Sequence, residues 1–307
     1  MTDWLSQLPV IGSLAPSEAT RKLREIGEDE IADALSDAAL TSPATYEVLR
    51  RLRGGGDRAW LHTAHAIGYL APADGTGARL LPIQHAASID PDETLKGARI
   101  KLTFDGLRVA DYPGGGIHRI WFDFAARNQT DQGPEQLHFN AIYRAAEGEH
   151  AAVLGRPIFT GLQVGAEGLF LQLATINVLN EGDENLLRFL DGDAFQSGLR
   201  LLTTAQPVLA PFSALAVGLT KTISARHRNV AVQAIDLGLD FSRIAPRPRL
   251  AEGSYIAVQV PERLRSNWRW ADWVYESDSG RIVSTRQPGL QIPSNYIIVS
   301  ISRYQGL

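Results

Sequence analysis

Residues 117–126 read IHRIWFDFAA and residues 137–144 read LHFNAIYR. Along a strand, successive side chains point to opposite faces. Arg119, Trp121 and Asp123 therefore share one face of the first segment, and His138, Asn140 and Arg144 share one face of the second. Paired as a hairpin, the two segments bring Arg119, Asp123, His138, Asn140 and Arg144 into a single polar patch. A histidine beside a carboxyl group suits general acid–base chemistry. On that reading His138, Asp123 and Arg119 would serve a hydrolase or transferase. The same pattern also describes a solvated outer sheet face stitched by cross-strand ion pairs, and this is the preferred reading.

Other groups offer less. His62 and His65 stand three apart without an HExxH pattern, and the acidic clusters lack EF-hand spacing. Gly114-Gly115-Gly116 leads into a strand, whereas a phosphate loop needs a helix behind it. The chain has no GKS, GKT or GxSxG motif and no cysteine, which removes disulfides, thiolate zinc sites and cysteine nucleophiles. No metal or cofactor is expected. Net charge is -4, so no nucleic-acid partner is expected either. In NWRWADWVY, alternation sets Trp268 and Trp270 on one face, with Trp273 and Tyr275 following. These aromatics read first as sandwich core and second as a ligand or membrane platform.

The elements that must position these groups change character along the chain. Apolar residues at helical spacing predict helices over residues 15–26, 30–39, 42–52 and 57–70, broken at Gly54-Gly55-Gly56. Residues 73–98 read as a polar connector with one short element near 79–84. From residue 100 the period falls to two, and strands are predicted at 100–104, 117–126, 137–144, 158–163, 169–178, 231–241, 255–260, 268–275, 281–284 and 296–302. Three helices are predicted within 183–228. The fold class is α+β: a helical bundle over 1–72, a connector over 73–98, and an antiparallel β-sandwich with a helical insertion over 99–307. A chain starting near Lys96 is expected to fold alone.

Residues 201–220 form a long uncharged run, interrupted by Pro207 and Pro211 and diluted by Thr203, Thr204, Gln206, Ser213 and Thr220. They predict a buried helical segment that packs Phe212, Leu215 and Leu219 on the sandwich. Lys221, Arg226 and Arg228 follow directly, so a released segment could enter an anionic bilayer with its cations at the headgroups. Trp268, Trp270, Trp273, Phe212, Leu219, Lys221, Arg226 and Arg228 are thus the expected ligand- or membrane-facing residues. Near the start, Asp3 and Pro9 are at odds with a secretory signal, so a cytoplasmic location is expected.

Residues 100–124, IKLTFDGLRVADYPGGGIHRIWFDF, resemble the opening of a C2-type β-sandwich: a strand, a loop after Asp111, then an aromatic-rich strand. The resemblance implies a module that binds lipid or a partner. Where that family carries Asp-Pro-Tyr after the first loop, this chain has Gly115-Gly116-Ile117-His118, and no calcium is expected. The functional expectation is a non-enzymatic interaction or effector protein. Its helical N-terminal domain would recruit a protein partner, and its sandwich would recognise a ligand or an anionic membrane. The alternative is the hydrolase or transferase built on His138, Asp123 and Arg119.

Overall fold

In a computed structural model of the chain, the described residues are 8, 10–38, 58–72, 77–130, 133–151, 153, 155–179, 199–201, 209–226, 228–244 and 246–306. The helix expected over 42–52 and the first of the insertion lie outside them; of the second, expected to pass through Leu199, only residues 199–201 are described, and Leu199–Arg200 is a strand. The described chain runs as helices α1 (Pro16–Glu25) and α2 (Asp29–Ala38), then strands β1 (Ala64–Leu70), β2 (Leu80–Pro82), β3 (Gln84–His85), β4 (Arg99–Arg108), β5 (Ile117–Thr130), β6 (Gly133–Ala146), β7 (Arg156–Gln163), β8 (Gly168–Asn177) and β9 (Leu199–Arg200). Helix α3 (Leu209–Ser224) follows, then β10 (Val230–Asp240), β11 (Gly253–Val260), β12 (Trp273–Glu276), β13 (Arg281–Ser284) and β14 (Tyr296–Arg303).

The strands form three sheets. One is seven-stranded, in the order β3-β1-β11-β14-β4-β7-β9; one is four-stranded, β10-β8-β5-β6; the third is β13-β12-β2. Every pairing is antiparallel except β7 with β9. The seven- and four-stranded sheets face each other over the main core, where Phe104 stacks on Phe122 with ring centroids 4.1 Å apart. The outer face of the large sheet is covered by the three-stranded sheet, with Trp270, Ile282 and Ile292 packed on Ile256, Val258 and Ile298. Burial on both faces explains the apolar run YIIV that opens β14, since neither face has water to accommodate there.

Two expectations fail here. The helix expected over 57–70 is not found in its described part, 58–70: a short 3-10 turn, Ala59–Leu61, leads into β1, which pairs along its whole length with β11. Ala64, Ala66, Gly68 and Leu70 face the three-stranded sheet while Ile67 and Tyr69 face the main core. Trp60, Leu61, Ala64 and Ile67 happen to satisfy a helical spacing as well, and tertiary pairing decides between the two periods. Trp268 and Trp270 also do not alternate along one strand. Trp270–Asp272 is a 3-10 turn and the strand starts only at Trp273.

Helices α1 and α2 bury Ala19, Leu23, Ala32 and Leu35 in the same cluster as the sandwich core. Polar contacts fasten this region: Gly114 N donates to Glu28 Oε1 at 3.2 Å, and Ala59 N donates to Asp111 Oδ2 at 2.8 Å. The Arg58 guanidinium lies 3.4 Å from Asp111. No helix among the described residues is long and apolar enough to cross a membrane.

Candidate functional site

The register of β5 with β6 sets Asp123 opposite Asn140, Arg119 opposite Arg144, and Ala125 opposite His138, so the expected patch does share one face. That face is not a solvated surface. Asp123 and Asn140 are fully buried and His138 is 4% exposed, because α3 lies across them. Thr220 of α3 is the hub. Its hydroxyl donates to Asp123 Oδ2 and accepts from Asn140 Nδ2 at 3.0 Å and Trp121 Nε1 at 3.1 Å. Ser213 Oγ accepts from the His138 backbone N–H at 3.2 Å, and His138 Nδ1 stands 3.5 Å from Asp123 Oδ1. Arg119 is half-buried and Arg144 exposed, at the rim.

Helix α3 sits with an unexpected face inward. Ser213, Ala216, Thr220 and Ile223 are buried, while Leu215 is 44% exposed and Leu219 only partly covered. The expected packing through Leu215 is therefore rotated by about one position. The Phe212 side chain lies outside the described residues. Polar complementarity to Asp123 and Asn140 outweighs the burial of Leu215, since a buried carboxyl group without partners costs more than an exposed leucine.

The remaining expected residues are dispersed. Trp268 stacks parallel to Trp273 at 6.3 Å and meets Trp270 edge-on at 6.0 Å; Trp270 is buried and the other two are half-buried over the three-stranded sheet. Lys221 and Arg228 are exposed and Arg226 is half-buried, with its carbonyl accepting from Lys22 Nζ at 3.5 Å. The structure does not bring the tryptophans and these cations into one site.

A cleft of about 690 Å³ opens at the end of the sandwich distant from Trp121. Its floor is the part of the β5-β8-β10 face that α3 leaves bare: Arg127, Phe170 and Gly238. Its walls are the β7–β8 turn, the loop after β10 with Phe241 and Arg247, and the turn carrying Glu93 and Lys96. Lys96 Nζ lies 5.0 Å from the Phe241 ring centroid and the Arg127 guanidinium 5.7 Å from that of Phe170. Gly168 allows the turn to close: its φ is +128°, and a Cβ there would sit 2.1 Å from Leu239 O. Above Gly238 the space is open, with no atom within 4 Å of where a Cβ would stand. Three acidic residues, Glu93, Glu167 and Asp240, balance three basic ones, Lys96, Arg127 and Arg247.

Sequence reading missed this cleft because its walls come from segments far apart in the chain. One local signal was present. The face carrying Arg119, Trp121 and Asp123 continues in register to Arg127, beyond the reach of α3. No family model matches the chain, and neither a curated protein nor a solved structure matches it.

Proposed function

We propose that this is a non-enzymatic recognition protein whose sandwich holds a polypeptide segment of mixed charge in the cleft over Gly238. The cleft itself carries the proposal: it is open, has a floor of Phe170, Gly238 and Arg127, and presents both signs of charge in equal number. A pure polyanion would meet Glu93, Glu167 and Asp240, whereas a chain of alternating charge meets both signs, including the Glu93–Lys96 ion pair in the wall. The polar patch that would serve a hydrolase or transferase has α3 lying over it, which removes the access that substrate needs. Helices α1 and α2 enter as scaffold, since their apolar faces are spent on the core.

Peptide display against the full chain, with counter-selection on Gly238→Trp, tests this. The substitution meets open space, so the fold is retained while the cleft is filled. Enriched peptides should carry both charges, lose binding to G238W, and lose it again with Arg127→Glu. Equal binding to wild type and G238W would refute the proposal.

A second reading has its own observation. Ile244 is 97% exposed in the loop after β10, near Arg243 and Arg247. An apolar tip among cations fits an anionic membrane surface. Flotation with anionic vesicles should then succeed and be abolished by Ile244→Asp; flotation that I244D leaves unchanged would exclude that loop.

A further inference from the structure

Strand β10 ends the four-stranded sheet and pairs, among the described strands, with β8 alone. In an antiparallel ladder the backbone groups of alternate residues point to opposite neighbours. Asp240 fixes which residues of β10 point outward: its N–H donates to Pro248 O at 3.2 Å, and its carbonyl accepts from Leu250 N at 2.9 Å. Counted back by twos, Gly238, Asp236 and Ala234 point the same way. The far side of the sheet gives the same phase. The His138 N–H leaves β6 for Ser213 Oγ, so Ala125 opposite it turns its backbone groups to Gln172 of β8, and Asp236 beyond Gln172 turns its own away from the sheet.

Both ends of this edge are closed from within the chain. Asp240 is held by the loop that follows it, and Val232 O accepts from Gln259 Nε2 at 2.8 Å. Between them the backbone N–H and C=O groups of Ala234, Asp236 and Gly238 have no hydrogen-bond partner among the described residues. Asp236 and Gly238 are exposed, and Ala234 is half-buried. The open stretch is about 13 Å long at roughly 3.3 Å per residue. It is also rigid, because Ile235 and Leu237, on the other face, are buried in the main core. Free edges are commonly blunted by proline, lysine or a bulge. Here the bulge falls earlier, between Ala231 and Gln233, and the stretch AIDLG carries neither proline nor lysine.

We infer that the polypeptide segment proposed for the cleft binds as an added strand on the edge of β10, with a basic residue opposite Asp236. The inference rests on the reading of the cleft as a peptide site and names how the peptide is held. Gly238 is both the last open residue of the edge and part of the cleft floor, so a strand added to β10 runs directly into the cleft. Charge selects the occupant. A second copy paired along the whole edge would centre on Asp236 and set two carboxylates opposite each other, which is destabilising. A partner with lysine or arginine there gains an ion pair on the outer face, where Asp236 already holds Gln172 Nε2 at 2.8 Å. Opposite Gly238, a bulky apolar side chain fills the space that the glycine leaves next to Phe170, its partner on β8. These two positions lie two residues apart in the added strand. Backbone hydrogen bonds supply affinity, and the two side chains supply the choice of partner.

Synthetic copies of the peptides enriched by display on the full chain are the probes. Hydrogen exchange followed by NMR should show the Ala234, Asp236 and Gly238 amides exchanging freely in the dilute chain and gaining protection when peptide is added. Methylating the peptide amide of the basic residue, which faces β10, should weaken binding by about tenfold or more, while methylating the next amide, which faces away, should cost less than about threefold. Asp236→Lys, an exposed change outside the cleft lining, should weaken binding as well, and a peptide with glutamate in place of its basic residue should bind D236K again. No enriched peptide at all would overturn the cleft reading and this inference together. Peptides that lose binding to G238W yet leave the three amides unprotected, or that tolerate either methylation equally, would overturn the inference alone. So would protection without peptide: if it rises with protein concentration the edge belongs to a second copy, and if it is present in the dilute chain the chain covers its own edge.

Discussion

Thr220→Val keeps the shape of the side chain and deletes the hydroxyl on which three partners converge. Wild-type Thr220 gives its hydrogen to Asp123 and takes one each from Asn140 and Trp121, all of them buried. Three hydrogen bonds at about 1 kcal/mol each are lost, and the stranded groups add a desolvation penalty of order 1–3 kcal/mol. Some relaxation lowers the sum, so the expected loss is about 3–6 kcal/mol, a large share of the roughly 5–15 kcal/mol available to a folded domain. Urea unfolding followed by circular dichroism reads the global change. Hydrogen exchange should show the α3 amides losing protection first, because the hub holds that helix and not the sheets. In a Trp121→Phe background the same substitution should cost about 1 kcal/mol less, since one of its partners is already gone. A loss under about 1 kcal/mol, with unaltered exchange in α3, would mean that the helix is held by its apolar contacts and that the hub reasoning is wrong.

A chain starting at Lys96 should fail to unfold cooperatively, since it lacks β1, which lies between β3 and β11 and contributes to both cores. A sharp, native-like transition in that fragment would show β1 to be dispensable. Stability should fall as pH drops from 6.5 towards about 4. His65 and His150 have folded pKa values near 4 against an ordinary 6.5, so the unfolded chain binds more protons throughout that window. Asp111 opposes them: burial raises its pKa from 3.8 to about 6, so its contribution improves as pH falls between those values. His65→Gln should flatten the slope by close to one proton, and an unchanged slope would show that His65 does not titrate as its burial requires.

Much of the sandwich was legible because most strands carry one face of large apolar residues at period two. Phe122 and Phe124 on β5, with Leu137 and Phe139 on β6, state both the face and the register. β1 was not legible, since Ala64, Ala66 and Gly68 carry almost no periodic signal. Their smallness makes sense only beside Trp270 and Ile83; a Cβ on Gly68 would stand 2.7 Å from Ile83 Cγ2 and 2.8 Å from the Trp270 ring. The shared face of Asp123 and His138 could be read from alternation, but its cover could not. An amphipathic reading of α3 turns Leu215 inward, whereas the sheet beneath presents a carboxyl, an amide and an indole N–H, and selects Thr220 and Ser213 instead.

The strand order of the large sheet also dictates when it can close. β14 is the last strand of the described chain, yet it occupies the middle of the sheet, between β11 and β4. Until it is in place, the β1–β11 pair and the β4–β7 pair have no edge to share. The four-stranded sheet has no such dependence, because β5, β6, β8 and β10 all precede residue 241. During synthesis the smaller sheet can therefore assemble first and wait with its apolar face bare, while the larger one forms around a late insertion. Such long-range pairing folds slowly and leaves strand edges open meanwhile. The interval before β14 arrives is the period in which this chain is most exposed to aggregation.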